Sequence, residues 1–250
     1  MTHGDIVTLD MGARVFVWLG GALFVASLAY CAYSFVVPWS NLDVHGVRVP
    51  GAPFDMFQAG AWVRVAWNAL LLGVFALHHS LFARDRVKQA IARFVPERLV
   101  RSVYVWVASL LLMFVCAWWR PIGGDVYDDI IGWRPIVHAL VQLVGLALIA
   151  RAVATIDPLE LAGIRPSSGA GSLQVTGPYK LVRHPLYLGW VLLVFGAAHM
   201  TGDRLAFAAI TTTYLIVAVP WEERSLTHSF GDDYTRYMRA VRWRIVPFIY

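Results

Sequence analysis

The last third of the chain contains two groups of polar residues that could bind a ligand. One is the segment 183–189, and the other is the adjacent pair Glu222 and Glu223. Arginine, histidine and glutamate are costly at the edge of a membrane unless they have partners or a ligand. One apolar segment begins directly after Arg183, His184 and Pro185, and another ends directly before the two glutamates. The two groups therefore flank one helical hairpin and could form a common site.

The first group has the features of a helix start that attracts negative charge. Pro185 suits the first turn of a helix, where no backbone donor is lost, and the free N–H groups of that turn favour an anion. Arg183 adds a cation and Tyr187 an aromatic face, while Gly189 allows another helix or a ligand to approach closely. A lone histidine near a helix start, such as His184, is more often a hydrogen-bonded structural residue than a ligand-binding one. Together these residues could hold a carboxylate and a flat ring.

The second group allows two interpretations. Adjacent residues on a helix point about 100° apart, so Glu222 and Glu223 face different surroundings. Either they end a helix and pair with Arg224 or with arginines of the tail, or one binds a cationic or hydroxyl-rich ligand while the other braces an arginine. Aromatic residues follow at helical spacing and would either pack on the membrane surface or close over a cofactor: Phe230, Tyr234 and Tyr237.

The elements that must position these groups are membrane helices. The chain is 58% hydrophobic and only 15% charged, whereas soluble domains average about 25% charged residues. A spanning helix needs about 20 mostly apolar residues, which predicts an all-α polytopic membrane bundle of about six spans. The candidate segments are 14–38, 61–83, 99–120, 134–156, 185–201 and 203–221. The N-terminus lacks the basic stretch of a cleavable signal peptide, so we expect the first segment to remain a helix.

The distribution of basic residues predicts the orientation of the bundle. Most of the 21 Lys and Arg residues lie in 84–101, in 157–184 and in the tail after Glu223. Basic loops stay in the cytoplasm, so we expect both termini, and both ends of the last hairpin, to face the cytoplasm of a bacterial inner membrane. The segment 84–101 is either an amphipathic helix at the membrane surface or a plain basic loop.

The domain organisation follows from these segments. Residues 1–156 are expected to form the N-terminal membrane helices, and residues 157–250 the ligand-binding hairpin with a cytosolic C-terminal segment, joined into one integrated domain. The two cysteines, Cys31 and Cys116, lie in apolar segments and are typical of buried apolar residues. We therefore expect no metal site, and the composition gives no indication of nucleic-acid binding.

Four ordered motifs in the C-terminal part carry a family resemblance. They are Arg183-His184-Pro185-x-Tyr187-x-Gly189, Glu222-Glu223-x-x-Leu226, Phe230-Gly231-x-x-Tyr234-x-x-Tyr237 and Val246-Pro247. This order resembles the integral-membrane methyltransferases, which include isoprenylcysteine carboxyl methyltransferase and the phospholipid N-methyltransferases. The resemblance implies a pocket for S-adenosylmethionine that the C-terminal segment closes. The cofactor contacts that it implies are Arg183, His184, Tyr187, Gly189, Glu222, Glu223, Tyr234 and Tyr237.

The N-terminal part resembles a narrower group. The stretches 76–83, 94–104 and 118–121 are similar to the NnrU-type membrane family, and within it most similar to the methanethiol S-methyltransferases. The chain departs from that pattern at Pro158 and Glu160, where a histidine and an aspartate are expected. The resemblance implies methyl transfer to a small thiol, giving dimethyl sulfide from methanethiol. Two alternatives stay open: a prenylcysteine carboxylate or lipid acceptor from the membrane, and a haem-binding or structural membrane protein.

The adjacent pair His78 and His79 lies near the end of the second apolar segment. These histidines could bond to a neighbouring helix, accept a proton near the methyl acceptor, or bind haem with His184 as the second axial ligand. A thiol must become a thiolate before it attacks, and a nearby base would help. Glu160 and His79 are the candidates for that catalytic role.

Overall fold

The computed structural model describes residues 10–41, 60–82, 85–155, 158–165 and 173–250. These residues are mainly helical and include only two short strands, which confirms the predicted all-α membrane bundle. In chain order the elements are α1 (Met11–Val36), a 3₁₀ turn (Pro38–Ser40), α2 (Ala61–Phe82), α3 (Asp85–Ala92), α4 (Glu97–Ala117), β1 (Asp125–Asp128), α5 (Arg134–Val153), α6 (Pro158–Leu161), a 3₁₀ turn (Gly177–Lys180), α7 (Pro185–Phe195), β2 (His199–Thr201), α8 (Gly202–Phe230) and α9 (Asp232–Ala240).

Five of the described helices are long and apolar enough to cross a membrane, namely α1, α2, α4, α5 and α8. The chain is therefore an integral membrane protein. The described elements form two compact units. The N-terminal unit contains α1 to α4 and α6, and the C-terminal unit contains the two strands, α5 and α7 to α9. The predicted division of function at residue 156 stays a prediction.

In the N-terminal unit, α1 and α2 both pack against α4. The indole of Trp106 on α4 donates to the backbone oxygen of Phe16 on α1, at 3.0 Å. Asn68 on α2 is fully buried, and its amide group exchanges two hydrogen bonds of 2.9 Å with the backbone of Arg120. Because a buried amide without partners would be costly, these two bonds fix the end of α4 relative to α2.

In the C-terminal unit, α7 packs against α5 and α8. The strands β1 and β2 pair antiparallel beside the turn that connects α7 to α8. The buried carboxylate of Asp203, in the first turn of α8, accepts the backbone N–H groups of Ile122 at 2.9 Å and Gly123 at 2.8 Å. The hydroxyl of Thr201 caps α8 by accepting from the N–H of Arg204. This buried polar cluster sets where α8 begins.

The last hairpin differs in length from the predicted one. Helix α7 ends at Phe195, before Gly196, and residues 199–201 form β2, so the predicted span 185–201 contains a helix of 11 residues. Helix α8 continues to Phe230, well beyond the predicted end at residue 221. Its charged end remains helical because Glu223 is buried against cationic partners, described below. The predicted amphipathic helix is present as α3, which covers part of the basic segment 84–101.

Candidate active site

The start of α7 and the segment after α9 are held together by their backbones. The N–H of Arg183 donates to the oxygen of Trp243, and the N–H of His184 donates to the oxygen of Arg244, both at 2.8 Å. His184 is the residue that precedes the helix, and Pro185 is its first residue. This pairing fixes the side chains of Arg183 and His184 beside Glu222 and Glu223 of α8.

A buried ionic network centres on Glu223. Its Oε1 accepts from Nε of Arg183 at 2.6 Å, and its Oε2 lies 3.2 Å from Nε of Arg244. Nε2 of His184 lies 3.4 Å from the same Oε1 atom. The side chains of Arg183 and Glu223 are each only 8% exposed. Because each of its carboxylate oxygens has a cationic partner, Glu223 holds the side chains of Arg183 and Arg244 in place.

Glu222 lies in a different environment. Its side chain is 41% exposed, and its Oε2 accepts the hydroxyl of Tyr187 at 2.6 Å. Nδ1 of His184 is 3.7 Å from the same oxygen, and the rings of His184 and Tyr187 are stacked with centroids 5.3 Å apart. Glu222 therefore presents a fixed, partly accessible carboxylate with an aromatic pair beside it.

Three tyrosines from the second 3₁₀ turn and α9 lie close to this network. The hydroxyl of Tyr237 donates to the backbone oxygen of Tyr179 at 2.7 Å. The hydroxyl of Tyr234 is buried and has no hydrogen-bond partner among the described residues. A buried donor without an acceptor is costly, so the phenol of Tyr234 is a group that a ligand would satisfy.

Burial sets the protonation of these tyrosines. It raises the pKa of Tyr237 to about 12, and the phenol of Tyr179 adds to the effect. Burial also raises the pKa of Tyr234, and the negative charge of Glu223 adds to that shift. Both phenols therefore remain neutral donors throughout the physiological pH range.

Gly189 lies at a helix crossing. A Cβ atom at this position would be 2.6 Å from the backbone oxygen of Gly145 on α5. A small residue on each helix lets the two backbones approach closely, as is common in membrane bundles. Of the two predicted roles for Gly189, close approach of a helix is the one that these contacts favour, and a cofactor contact stays a prediction.

The proline in α8 gives the tail a second anchor. Pro220 has no N–H, so it cannot bond to the oxygen of Ile216 one turn earlier. The hydroxyl of Tyr250 lies 3.4 Å from that oxygen and accepts from Arg244 at 3.0 Å. Through Arg244, the same tail segment reaches Glu223. Because of Pro220, the backbone oxygen of Ile216 is open to an outside donor, and Tyr250 of the tail supplies that donor.

The structure brings the two predicted groups of the C-terminal unit together and adds residues that the sequence analysis missed. Arg244 was one of several tail arginines, and nothing in the spacing singled it out. Tyr179 lies in a Gly-Pro-Tyr-Lys turn whose sequence indicates structure but no partner. Glu222 and Glu223 do not end a helix, because α8 continues to Phe230, but the predicted pairing with an arginine of the tail is present between Glu223 and Arg244.

The other two candidates, His79 and Glu160, lie in the N-terminal unit. Nδ1 of His79 is 2.5 Å from the hydroxyl of Tyr104, and the neighbouring His78 stacks on the same tyrosine at 5.4 Å. The backbone oxygen of Glu160, in α6, accepts from Nε of Arg101 at 3.1 Å. The predicted bond from a histidine to a neighbouring helix is therefore present, and the catalytic roles of His79 and Glu160 stay predictions.

Comparisons with known proteins agree with this architecture. Residues 164–233 match the phospholipid methyltransferase family. The chain is 36% identical to a methanethiol S-methyltransferase of Crocosphaera subtropica, over 95% of this chain and 94% of that protein. It is 31% identical to methanethiol S-methyltransferase 1 of Bradyrhizobium diazoefficiens, over 92% of this chain and 83% of that protein. A shorter match, 32% identical, is to Nurim of Xenopus laevis, over 68% of this chain and 62% of that protein. No solved structure matches the chain significantly.

The helical bundle, the family match and the relatives define an integral-membrane methyltransferase. Within that class, the chain belongs to the methanethiol S-methyltransferase family. These matches favour an enzyme over the haem-binding and structural alternatives.

Proposed function

We propose that this methyltransferase transfers the methyl group of S-adenosylmethionine to a small thiol, methanethiol, and releases dimethyl sulfide. One observation carries the proposal: the partly exposed carboxylate of Glu222 lies beside the buried ionic network of Glu223 and its arginines. The names of the relatives in Crocosphaera and Bradyrhizobium supply the acceptor. In the reaction, a carbon–sulfur bond forms to the acceptor, the donor's methyl–sulfur bond breaks, and the thiol proton is released.

The residues of the C-terminal unit fit this donor chemically. S-Adenosylmethionine, when bound, supplies a methyl group that its sulfonium sulfur already activates. Glu222 offers a carboxylate to a cationic or hydroxyl group, and Tyr234 offers a buried phenol donor that has no partner among the described residues. The stacked rings of His184 and Tyr187 offer a flat apolar face. Arg183, Gly189, Glu223 and Tyr237 complete the proposed cofactor residues, mainly by positioning the others.

The acceptor needs a different kind of help. A thiol is largely protonated near neutral pH, since cysteine-like thiols have a pKa of about 8.5. We propose that His79 or Glu160 accepts this proton. With an activated donor, the protein otherwise has to align the reacting atoms and exclude water.

The charge distribution supports a cytoplasmic location for the cofactor site, in a bacterial inner membrane. S-Adenosylmethionine is soluble and would reach the site from that side. Single cysteines at exposed positions, Arg93→Cys and Asp233→Cys, are introduced into a chain in which Cys31 and Cys116 are replaced by alanine. Each is tested with a membrane-impermeant thiol reagent on intact cells and on inverted vesicles. Labelling only in inverted vesicles is expected, and labelling in intact cells would contradict this orientation.

The activity test is direct. Membrane vesicles that contain the protein are given methanethiol and S-adenosylmethionine, and headspace gas chromatography measures dimethyl sulfide. Glu222→Gln is expected to abolish most of the activity, whereas Asp233→Asn, whose side chain is 71% exposed in α9, is the matched control. If the same vesicles yield no dimethyl sulfide but methylate a prenylcysteine analogue, the thiol assignment is wrong and the methyltransferase assignment stands.

A further inference from the structure

A cavity of about 1200 Å³ lies within the N-terminal unit, between α1 and α2 on the surface of α4. Its apolar lining includes Phe24 of α1, Phe75 of α2 and Leu112 of α4. Sites for small ligands commonly measure roughly 300–1,000 Å³. The cavity is therefore larger than a small thiol requires, and it has room for a larger, mainly apolar molecule.

Part of the same cavity is strongly basic. Lys88 of α3 and Arg98 and Arg101 of α4 line it, against one acidic residue, Glu97. Arg98 and Leu112 are separated by about 20 Å along α4, at 1.5 Å per residue. The cavity thus has positive charge at one end and an apolar lining that extends along the helix. This distribution complements an amphiphile with an anionic head.

The interior also contains a polar atom without a partner. Ser109 is 2% exposed, and its hydroxyl has no hydrogen-bond partner among the residues that the structure describes. Ser109 lines the cavity together with the bonded pair His79 and Tyr104. A buried hydroxyl without an acceptor is costly, so an acceptor group on a bound molecule would be stabilised at Ser109.

We propose that this cavity binds an anionic phospholipid of the surrounding membrane as a structural lipid. The phosphate lies against Lys88, Arg98 and Arg101, and one acyl chain extends past Ser109 to the apolar part of the cavity. The amphipathic helix α3 lies at the level of the head groups, where basic residues attract anionic lipids. The lipid is a bound component and not the methyl acceptor, and it shares the cavity with His79, one of the two candidate bases.

The test uses the full-length protein in nanodiscs that contain equal amounts of an anionic and a zwitterionic phospholipid. The protein is re-extracted in mild detergent, and mass spectrometry counts the retained phospholipids. About one anionic phospholipid per protein is expected. Arg98→Gln is expected to lower its retention at least threefold, whereas Arg93→Gln, an exposed arginine of the same segment outside the cavity lining, leaves it unchanged.

A second variant tests the apolar part without changing the charge. Ala108 lines the cavity, so Ala108→Phe should fill it and also lower retention at least threefold, with thermal unfolding as a check on folding. If that variant does not fold, the comparison of Arg98→Gln with Arg93→Gln decides. Equal retention in those two variants, equal retention of both lipids, or full displacement of the lipid by millimolar inorganic phosphate would overturn the proposal.

Discussion

Glu222 and Glu223 are neighbours in sequence, yet their carboxylates have separate partners. Glu223 is paired through both oxygens with Arg183 and Arg244, and its side chain is 8% exposed. Glu222 accepts the hydroxyl of Tyr187 at 2.6 Å and keeps 41% of its side chain exposed. The first arrangement stabilises the fold, and the second leaves a carboxylate available to a ligand.

The stability of the two glutamate variants should differ accordingly. Glu223→Gln leaves two buried or half-buried arginines without a counter-charge, and breaking such a pair costs about 3–5 kcal/mol. Glu222→Gln removes a partly exposed charge and should cost about 1 kcal/mol or less. Thermal unfolding of the detergent-purified variants measures the difference. Equal destabilisation would show that the two carboxylates do not have separate roles.

The affinity for the cofactor should depend on Glu222 and on His184. Glu222→Gln and His184→Ala are each expected to weaken binding of S-adenosylhomocysteine at least tenfold, about 1.4 kcal/mol. Isothermal titration calorimetry measures the affinity under conditions where both variants are folded. Asp233→Asn serves as the control because its carboxylate is 71% exposed on α9. Unchanged affinity in both variants would remove the cofactor site from these residues.

Variants of Tyr237 and Tyr234 distinguish a hydroxyl that stabilises the fold from one that is proposed to bind the ligand. Tyr237→Phe loses the 2.7 Å bond to the backbone of Tyr179 and should cost about 1 kcal/mol of stability. Tyr234→Phe removes a buried hydroxyl without a partner among the described residues and should leave the unliganded protein as stable or more stable. The same variant should weaken S-adenosylhomocysteine binding severalfold. A loss of stability without a loss of affinity would contradict the role given to Tyr234.

The crossing of α5 and α7 predicts a pair of opposite glycine effects. Gly189→Ala places a Cβ atom 2.6 Å from the backbone oxygen of Gly145, so the helices must separate, at a cost of about 1–3 kcal/mol. Gly73→Ala, inside α2, meets no atom within 4 Å and should stabilise its helix by about 0.5–1 kcal/mol. Thermal unfolding compares the two. If Gly189→Ala is tolerated, α5 and α7 do not pack closely at this crossing.

The candidate bases should affect turnover and not cofactor affinity. Because the acceptor must be a thiolate, activity should rise with pH until the thiol and the base are both deprotonated. Glu160→Gln or His79→Gln should lower turnover at least tenfold with unchanged S-adenosylhomocysteine affinity. Dimethyl sulfide formation across a pH series measures this. The variant that keeps full turnover and the same pH profile does not carry the base.

The contact between the two polar groups, 183–189 and Glu222 with Glu223, could be predicted because both flank one apolar hairpin. The length of α8 could not be predicted, because hydropathy places the end of an apolar segment at the first charged residues that follow it. Glu223 is helical and buried because Arg183, distant in sequence, and Arg244, in the tail, neutralise it. Several arginines of the tail have the same local surroundings in sequence, so only the folded chain distinguishes Arg244 from its neighbours.

The docking of the tail has a consequence for motion at the site. The segment after α9 accepts hydrogen bonds from the backbones of Arg183 and His184, and its Tyr250 donates to the oxygen of Ile216 in α8. All of these bonds break when the segment leaves its place. Opening of the tail therefore also displaces the proposed cofactor residues, in one local unfolding equilibrium. A ligand that binds only the closed form should slow amide hydrogen exchange at residues 183–184 and 244–246 together, while exchange in α1 stays the same.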